Sequence, residues 1–275
     1  MNRIPRLLAI LCVLALVVGA AGCNRLRARD ELNKGVAAFR GGQYDSAIDH
    51  FQKAKDLDPE LLNAQLYLAT AYASQYIPGA PSEENVRNGR KAVEEFQQVL
   101  KVQPDNLSAI DGIGSILFQM GGVPYDPKKF AESRTYHIRH IQVRAEDPEP
   151  YYWVGVINWT LAFRANGEMR LKYNEASPRR RLGDTDPLPE KLRTELATNY
   201  ESTVDEGIKY LLGAMERRPD YEDAMAYLNL LYRKNAYMAA SPAVREEFIT
   251  KADELVDRVK AIKQKKSEAP AAPSE

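Results

Sequence analysis

Cysteine is nearly absent from the chain. Its 275 residues include two, Cys12 and Cys23. Cys12 lies inside an apolar N-terminal run, so a chain processed after that run keeps one cysteine and forms no internal disulfide. A charge excess is missing too: 38 basic side chains stand against 38 acidic ones. That balance argues against nucleic acid or an anionic surface as the main partner, since both select a strongly basic face. The chain has no Gly-rich phosphate loop after a strand, no GxSxG elbow and no HExxH helix. Beyond the N-terminal run, no alternating pattern of useful strand length occurs. Of only three histidines, His137 and His140 are spaced i, i+3 on a helical stretch and could share a metal. They lack a nearby cysteine, and no carboxylate stands out as a third ligand. These absences predict a chain without enzymatic activity, metal or diffusible cofactor.

One long apolar run is present, at the N-terminus. Arg3 and Arg6 form a basic region, Leu7–Val18 an apolar region, and Ala20, Ala21 and Gly22 are small. This is the layout of a signal peptide over 1–22, and the run is shorter than the roughly 20 residues that span a bilayer. Ala20-Ala21-Gly22-Cys23 resembles the bacterial lipobox, with Ala20 where Leu is commoner. The resemblance implies lipidation of the Cys23 thiol as the chain's only covalent group and anchoring in the cell envelope. By resemblance to enterobacterial lipoproteins, Asn24 in place of Asp implies the outer membrane, facing the periplasm. An ordinary secretory signal that leaves Cys23 a free thiol, and a retained helix, are the alternatives. Loss of Arg3 and Arg6 with the leader leaves two more acidic than basic groups.

Residues 33–59 read as two short amphipathic helices around a Gly41-Gly42 turn. Counting back from Pro59, small or aromatic residues fall at fixed offsets: Ala54, Phe51, Ala47, Tyr44, Gly42, Ala38 and Gly35. Small side chains let the helices approach, Phe51 and Ala54 pack onto the pair, and Pro59 stops the second helix. The pattern resembles the tetratricopeptide repeat, a helix–turn–helix unit of about 34 residues. The offsets recur with Leu68, Ala69, Tyr72, Ala92, Phe96 and Pro104; with Ile113, Gly114, Leu117, Tyr136, His140 and Pro148; with Ile157, Asn158, Leu161, Gly207, Leu211 and Pro219; and with Leu228, Asn229 and Tyr232. His140 takes the place of Phe51 and Phe96, which predicts burial between helices. The resemblance implies an all-α fold, a right-handed superhelix of about five helix pairs. A capping helix from Pro242, with Ser241 at its N-cap, closes it.

The step between paired helices is nine residues from Ala38 to Ala47, but twenty from Tyr72 to Ala92, nineteen from Leu117 to Tyr136 and forty-six from Leu161 to Gly207. The additions therefore fall at one place in successive repeats. They include a Ser82-capped helix start after IPGAP and a long insertion at about 164–204, read as a loop followed by a helix from about Pro189. Neutral drift of a turn and a functional excursion are both compatible with this. Arg179, Arg180 and Arg181 in the insertion read as a solvated run or as a site for an acidic group. The expected organisation is a leader over 1–22, a lipidated linker over 23–29, the repeat domain over 30–264 and a disordered Pro/Ala-rich tail over 265–275.

In the repeat family, the first helix of each unit lines a groove. Carried over by position, this implies a partner-binding surface of Arg29, Leu32, Val36, Phe39 and Arg40 in repeat one. Repeat two supplies Asn63, Leu66, Thr70, Ala73 and Ser74, and repeat three Ser108, Asp111, Ser115, Phe118 and Gln119. Repeat four adds Tyr152, Gly155, Trp159, Ala162 and Phe163, and repeat five Asp223, Ala226, Leu230, Arg233 and Lys234. The middle is small and polar, suited to an extended peptide without charge preference. Tyr152, Trp159 and Phe163 form an aromatic stripe, which is either an exposed anchor or core buried by the insertion. Leu32, Val36 and Ser108 occupy places where a carboxylate clamp needs basic and amide groups, so that mode is not expected. The resemblance implies a membrane-anchored scaffold or adaptor holding an envelope protein or peptide. Rivals are a solute- or glycan-binding protein using the aromatic stripe and a hydrolase with a metal at His137 and His140.

Overall fold

The computed structural model describes residues 23–183 and 186–268. The expected leader (1–22) and the last seven residues of the expected tail lie outside them. Ten helices run through the described residues, and no strand occurs among them. They are α1 (23–40), α2 (Tyr44–Leu57), α3 (Leu62–Gln75), α4 (Glu83–Val102), α5 (Leu107–Gly122), α6 (Pro127–Val143), α7 (Pro148–Ala176), α8 (Glu190–Arg217), α9 (Glu222–Met238) and α10 (Pro242–Glu268). In order they make five helix pairs, the all-α class expected. The chain divides into two compact units, one ending at Lys129 and the other beginning at Phe130.

Local chemistry sets the helix ends. The Ser82 hydroxyl accepts from the Asn85 N–H at the start of α4, and the Asn106 side chain accepts from the Ala109 N–H at the start of α5. Asp147 accepts from the Glu149 N–H ahead of Pro148 in α7. Each cap satisfies a donor that the first turn leaves unpaired. Between α1 and α2, Gly42 has φ +72°, a conformation that side chains disfavour.

Three boundaries differ from the sequence expectation. Residues 23–29, expected as a linker, belong to α1, and α10 continues through 265–268 to Glu268. Both stretches are rich in Arg, Lys, Leu, Ala and Glu, which favour helix. The third concerns the additions, which mostly lengthen helices rather than loops. In repeat four α7 reaches 29 residues and α8 28, leaving 177–189 as the connection.

In the first unit, α2 packs on α3, α3 on α4 and α4 on α5. Ala47, Phe51, Leu68, Ala71, Ala92 and Ile116 form its core. A Cβ on residue 35 would lie 2.5 Å from the Phe51 ring, so Gly35 is what lets the aromatic close over α1. In the second unit, α7 packs on α8, α8 on α9 and α9 on α10, around Leu196, Leu211, Met225, Leu228 and Leu231. Burying each such side chain contributes about 1.5–3 kcal/mol. Among the described residues no helix is long and apolar enough to cross a membrane.

Candidate functional site

Six residues expected to face a partner, Ala73 among them, come together in the first unit. Thr70 and Ser74 on α3 and Ser108, Ser115 and Gln119 on α5 line one cavity of ≈ 320 Å³, with Ala73, Phe96, Gly112 and Ile116. The two helices are adjacent, and Phe96 reaches the cavity from α4. Gly112 makes room for it, because a Cβ there would come within 2.5 Å of the Phe96 ring.

Two hydroxyls and one amide N–H at the cavity are already donating. The Thr70 hydroxyl donates to the Leu66 carbonyl and the Ser74 hydroxyl to the Thr70 carbonyl, each at 2.9 Å. Gln119 Nε2 donates to the Ser115 hydroxyl at 3.3 Å. Hydroxyl and amide oxygens keep lone pairs for incoming N–H donors. The groove thus combines an apolar floor with uncharged acceptors, which suits the backbone of an extended segment and selects weakly on charge.

The remaining first-unit candidates are dispersed. Arg29, Arg40 and Asn63 are exposed, whereas Val36 and Asp111 are half-buried. Phe39 is half-buried and packs edge-on against Tyr44 at 5.3 Å. Cys23 is exposed at the start of the described part of α1.

The second unit revises the rest. Trp159 stacks on Phe163 at 4.9 Å and meets Tyr227 edge-on at 5.2 Å. Tyr152 lies against Tyr221 and Tyr227 at 5.2 and 5.7 Å. The stripe is therefore engaged by aromatic residues of the following repeat, and Phe163 alone of the three is exposed, at 50%. Burial, with Tyr227, Asp223 and Glu149 nearby, pushes the Tyr152 hydroxyl up to about 12.

Gly155 and Ala162 are buried; a Cβ at 155 would fall 2.3 Å from Leu211, so Gly155 serves helix contact. Arg233 is not a free groove cation, because its guanidinium pairs with Asp253 at 2.6 Å and donates to Asn229. Lys234 is 6% exposed. Its ammonium lies 5.8 Å from the Phe163 and Tyr237 ring centres, and burial together with the Arg170 charge lowers it to about 8.

Arg170 escaped the sequence reading altogether. It is buried and donates to the carbonyls of Gly183 and Asp186 at 2.6 and 2.7 Å. Asn174 exchanges two hydrogen bonds with the Leu182 backbone, and Leu188 joins the core. The connection 177–189 is consequently pinned to α7, with Arg179, Arg180 and Arg181 exposed on it. No local signal marks these contacts, since Arg170 and Asn174 meet backbone groups of the connection, which any residue type supplies.

His137 and His140 are each 3% exposed. His137 stacks on Trp153 at 5.9 Å, and His140 Nε2 lies 3.5 Å from the Asp147 carboxylate. Among the described residues no group of three His, Cys, Asp or Glu side chains is placed to hold a metal.

Residues 31–61 match the tetratricopeptide repeat family. No curated protein matches the chain. Among solved structures the chain is similar to MamA protein, with 14% identity and a TM-score of 0.58 over 90% of this chain and 98% of that one. It is also similar to MamA 41-end from Desulfovibrio magneticus RS-1, with 15% identity and a TM-score of 0.55 over 89% of this chain and 98% of that one. The chain therefore carries a tetratricopeptide repeat at 31–61, and its helix-pair fold is one it shares with MamA.

Proposed function

We propose that the chain is a non-enzymatic scaffold of the cell envelope, lipid-anchored at Cys23, which holds an extended segment of a protein partner between α3 and α5. The observation that carries this reading is the convergence of Thr70, Ser74, Ser108, Ser115 and Gln119 on one cavity over Phe96. An uncharged, acceptor-rich groove with an aromatic floor fits a peptide backbone and one apolar side chain. Repeat arrays of this architecture commonly present such surfaces to partners. The Ala20-Ala21-Gly22-Cys23 motif supports the anchor, and Asn24 supports the outer membrane facing the periplasm.

A photo-crosslinking amino acid at Ser115 tests the groove in intact cells, with the same probe at exposed Glu94 on α4 as control. A discrete adduct from position 115, absent from position 94 and lost on Ser74→Trp substitution, is the expected result. Equal adducts from both positions, or an adduct insensitive to Ser74→Trp, would remove the groove from the mechanism.

A further inference from the structure

A second cavity in the first unit shares no lining residue with the groove. It has a volume of ≈ 500 Å³, within the range of about 300–1,000 Å³ typical of small-molecule sites. Its body is apolar, formed by Tyr76, Pro81, Val86, Met120 and Val123. The insertion of repeat two builds one wall, and that wall is fixed in place. Buried Asn85 accepts from the Ile77 N–H at 2.7 Å and donates to the Ile77 and Ala80 carbonyls at 2.8 and 2.9 Å. Gly89 allows the lining to close over α4, because a Cβ there would lie 2.9 Å from Tyr76 and 3.1 Å from Met120.

The polar groups at this cavity are few and unequal. Tyr76 is 9% exposed, and its hydroxyl has no hydrogen-bond partner among the described residues. Asp126 is already engaged: it accepts from the Lys128 N–H at 3.0 Å as the cap of α6 and lies 3.9 Å from Lys129. Arg90 lines the cavity with no acidic partner among the described residues. An apolar chamber with a guanidinium that makes no ion pair among the described residues is complementary to an apolar body carrying a single negative head, since guanidinium binds carboxylate through paired N–H donors.

We propose that this cavity binds a small amphipathic carboxylate, with its apolar chain against Tyr76, Met120 and Val123 and its carboxylate on Arg90. The site is independent of the partner groove, so the chain carries a ligand as well as a protein surface.

Calorimetric titration of the full chain with octanoate and with octanamide, which has the same chain and no charge, tests the assignment. Octanoate is expected to bind one-to-one and more tightly than octanamide. Arg90→Gln should weaken octanoate by about tenfold, the worth of a charged hydrogen bond, while leaving octanamide within about twofold. Val123→Trp, at an exposed position, should block both ligands with an unchanged melting temperature. Absence of saturable octanoate binding, equal affinity for the two ligands, or indifference to either substitution in a folded variant overturns the proposal.

Discussion

At the scale of the residue, His137 shows how burial decides protonation. Its ring is 3% exposed against Trp153, Nε2 has no hydrogen-bond partner, and burial followed by the charge of His140 lowers it from 6.5 to about 4. A histidine whose folded value is depressed binds its proton first in the unfolded chain. Stability therefore falls as pH drops from about 6.5 towards 4, and is unaffected by this group above 6.5. His137→Phe keeps an aromatic ring on Trp153 and removes the titration. Urea unfolding at pH 7, 5.5 and 4.5 should show the native chain losing about 1–3 kcal/mol more than the variant across that window. Parallel losses in the two proteins would mean that His137 is not held neutral by its surroundings. Lys234 follows the same physics with the same sign in a higher window: a lysine lowered to about 8 is relieved of its burial cost as pH rises above that value.

At the scale of the element, the long insertion is a pair of helix extensions joined by a pinned connection. Arg170 and Asn174 together donate three hydrogen bonds to the connection, and Asn174 accepts one from it, so its local opening should cost several bonds at about 1 kcal/mol each. Asn174→Ala removes two of these, and trypsin cleavage at Arg179, Arg180 or Arg181 should then accelerate about tenfold with helical content retained. Unchanged cleavage would show that Arg170 alone secures the connection. The same elements mark what the sequence made legible. The cap Ser82 and the offsets of Phe51, Phe96 and Leu211 depend on neighbours a few residues away or on a fixed repeat spacing, so they could be read directly. The extension of α7 is harder to read, because Arg170 and Asn174 bond the connecting segment rather than a repeated core position. Thr70, Ser74, Ser115 and Gln119 could be placed from repeat position alone. Arg233 and Lys234 could not, because Asp253, Phe163 and Tyr237, which engage them, come from three separate stretches of chain.

At the scale of the whole molecule, the start of the fold bears on how the chain meets a membrane. The described part of α1 begins at Cys23, and Ala28 is fully buried in the first unit, so a lipid on that thiol would attach with little spacer. Each buried methylene of an acyl chain contributes about 0.8 kcal/mol, and one chain alone holds a protein only marginally. Firm attachment through Cys23 therefore requires more than one chain on the same residue or its amino group. Cys23 is exposed, so Cys23→Ser should leave the melting temperature within about 1 °C, as for surface substitutions generally. Growth of cells with an alkyne fatty acid, followed by fractionation, distinguishes the three fates of the N-terminus. Lipidation predicts a labelled native protein in the outer-membrane fraction and an unlabelled Cys23→Ser variant that a carbonate wash releases. An unlabelled native protein already in the soluble periplasmic fraction would instead indicate an ordinary secretory signal. A Cys23→Ser variant that resists the wash would mean that residues 1–22 themselves hold the chain in the bilayer.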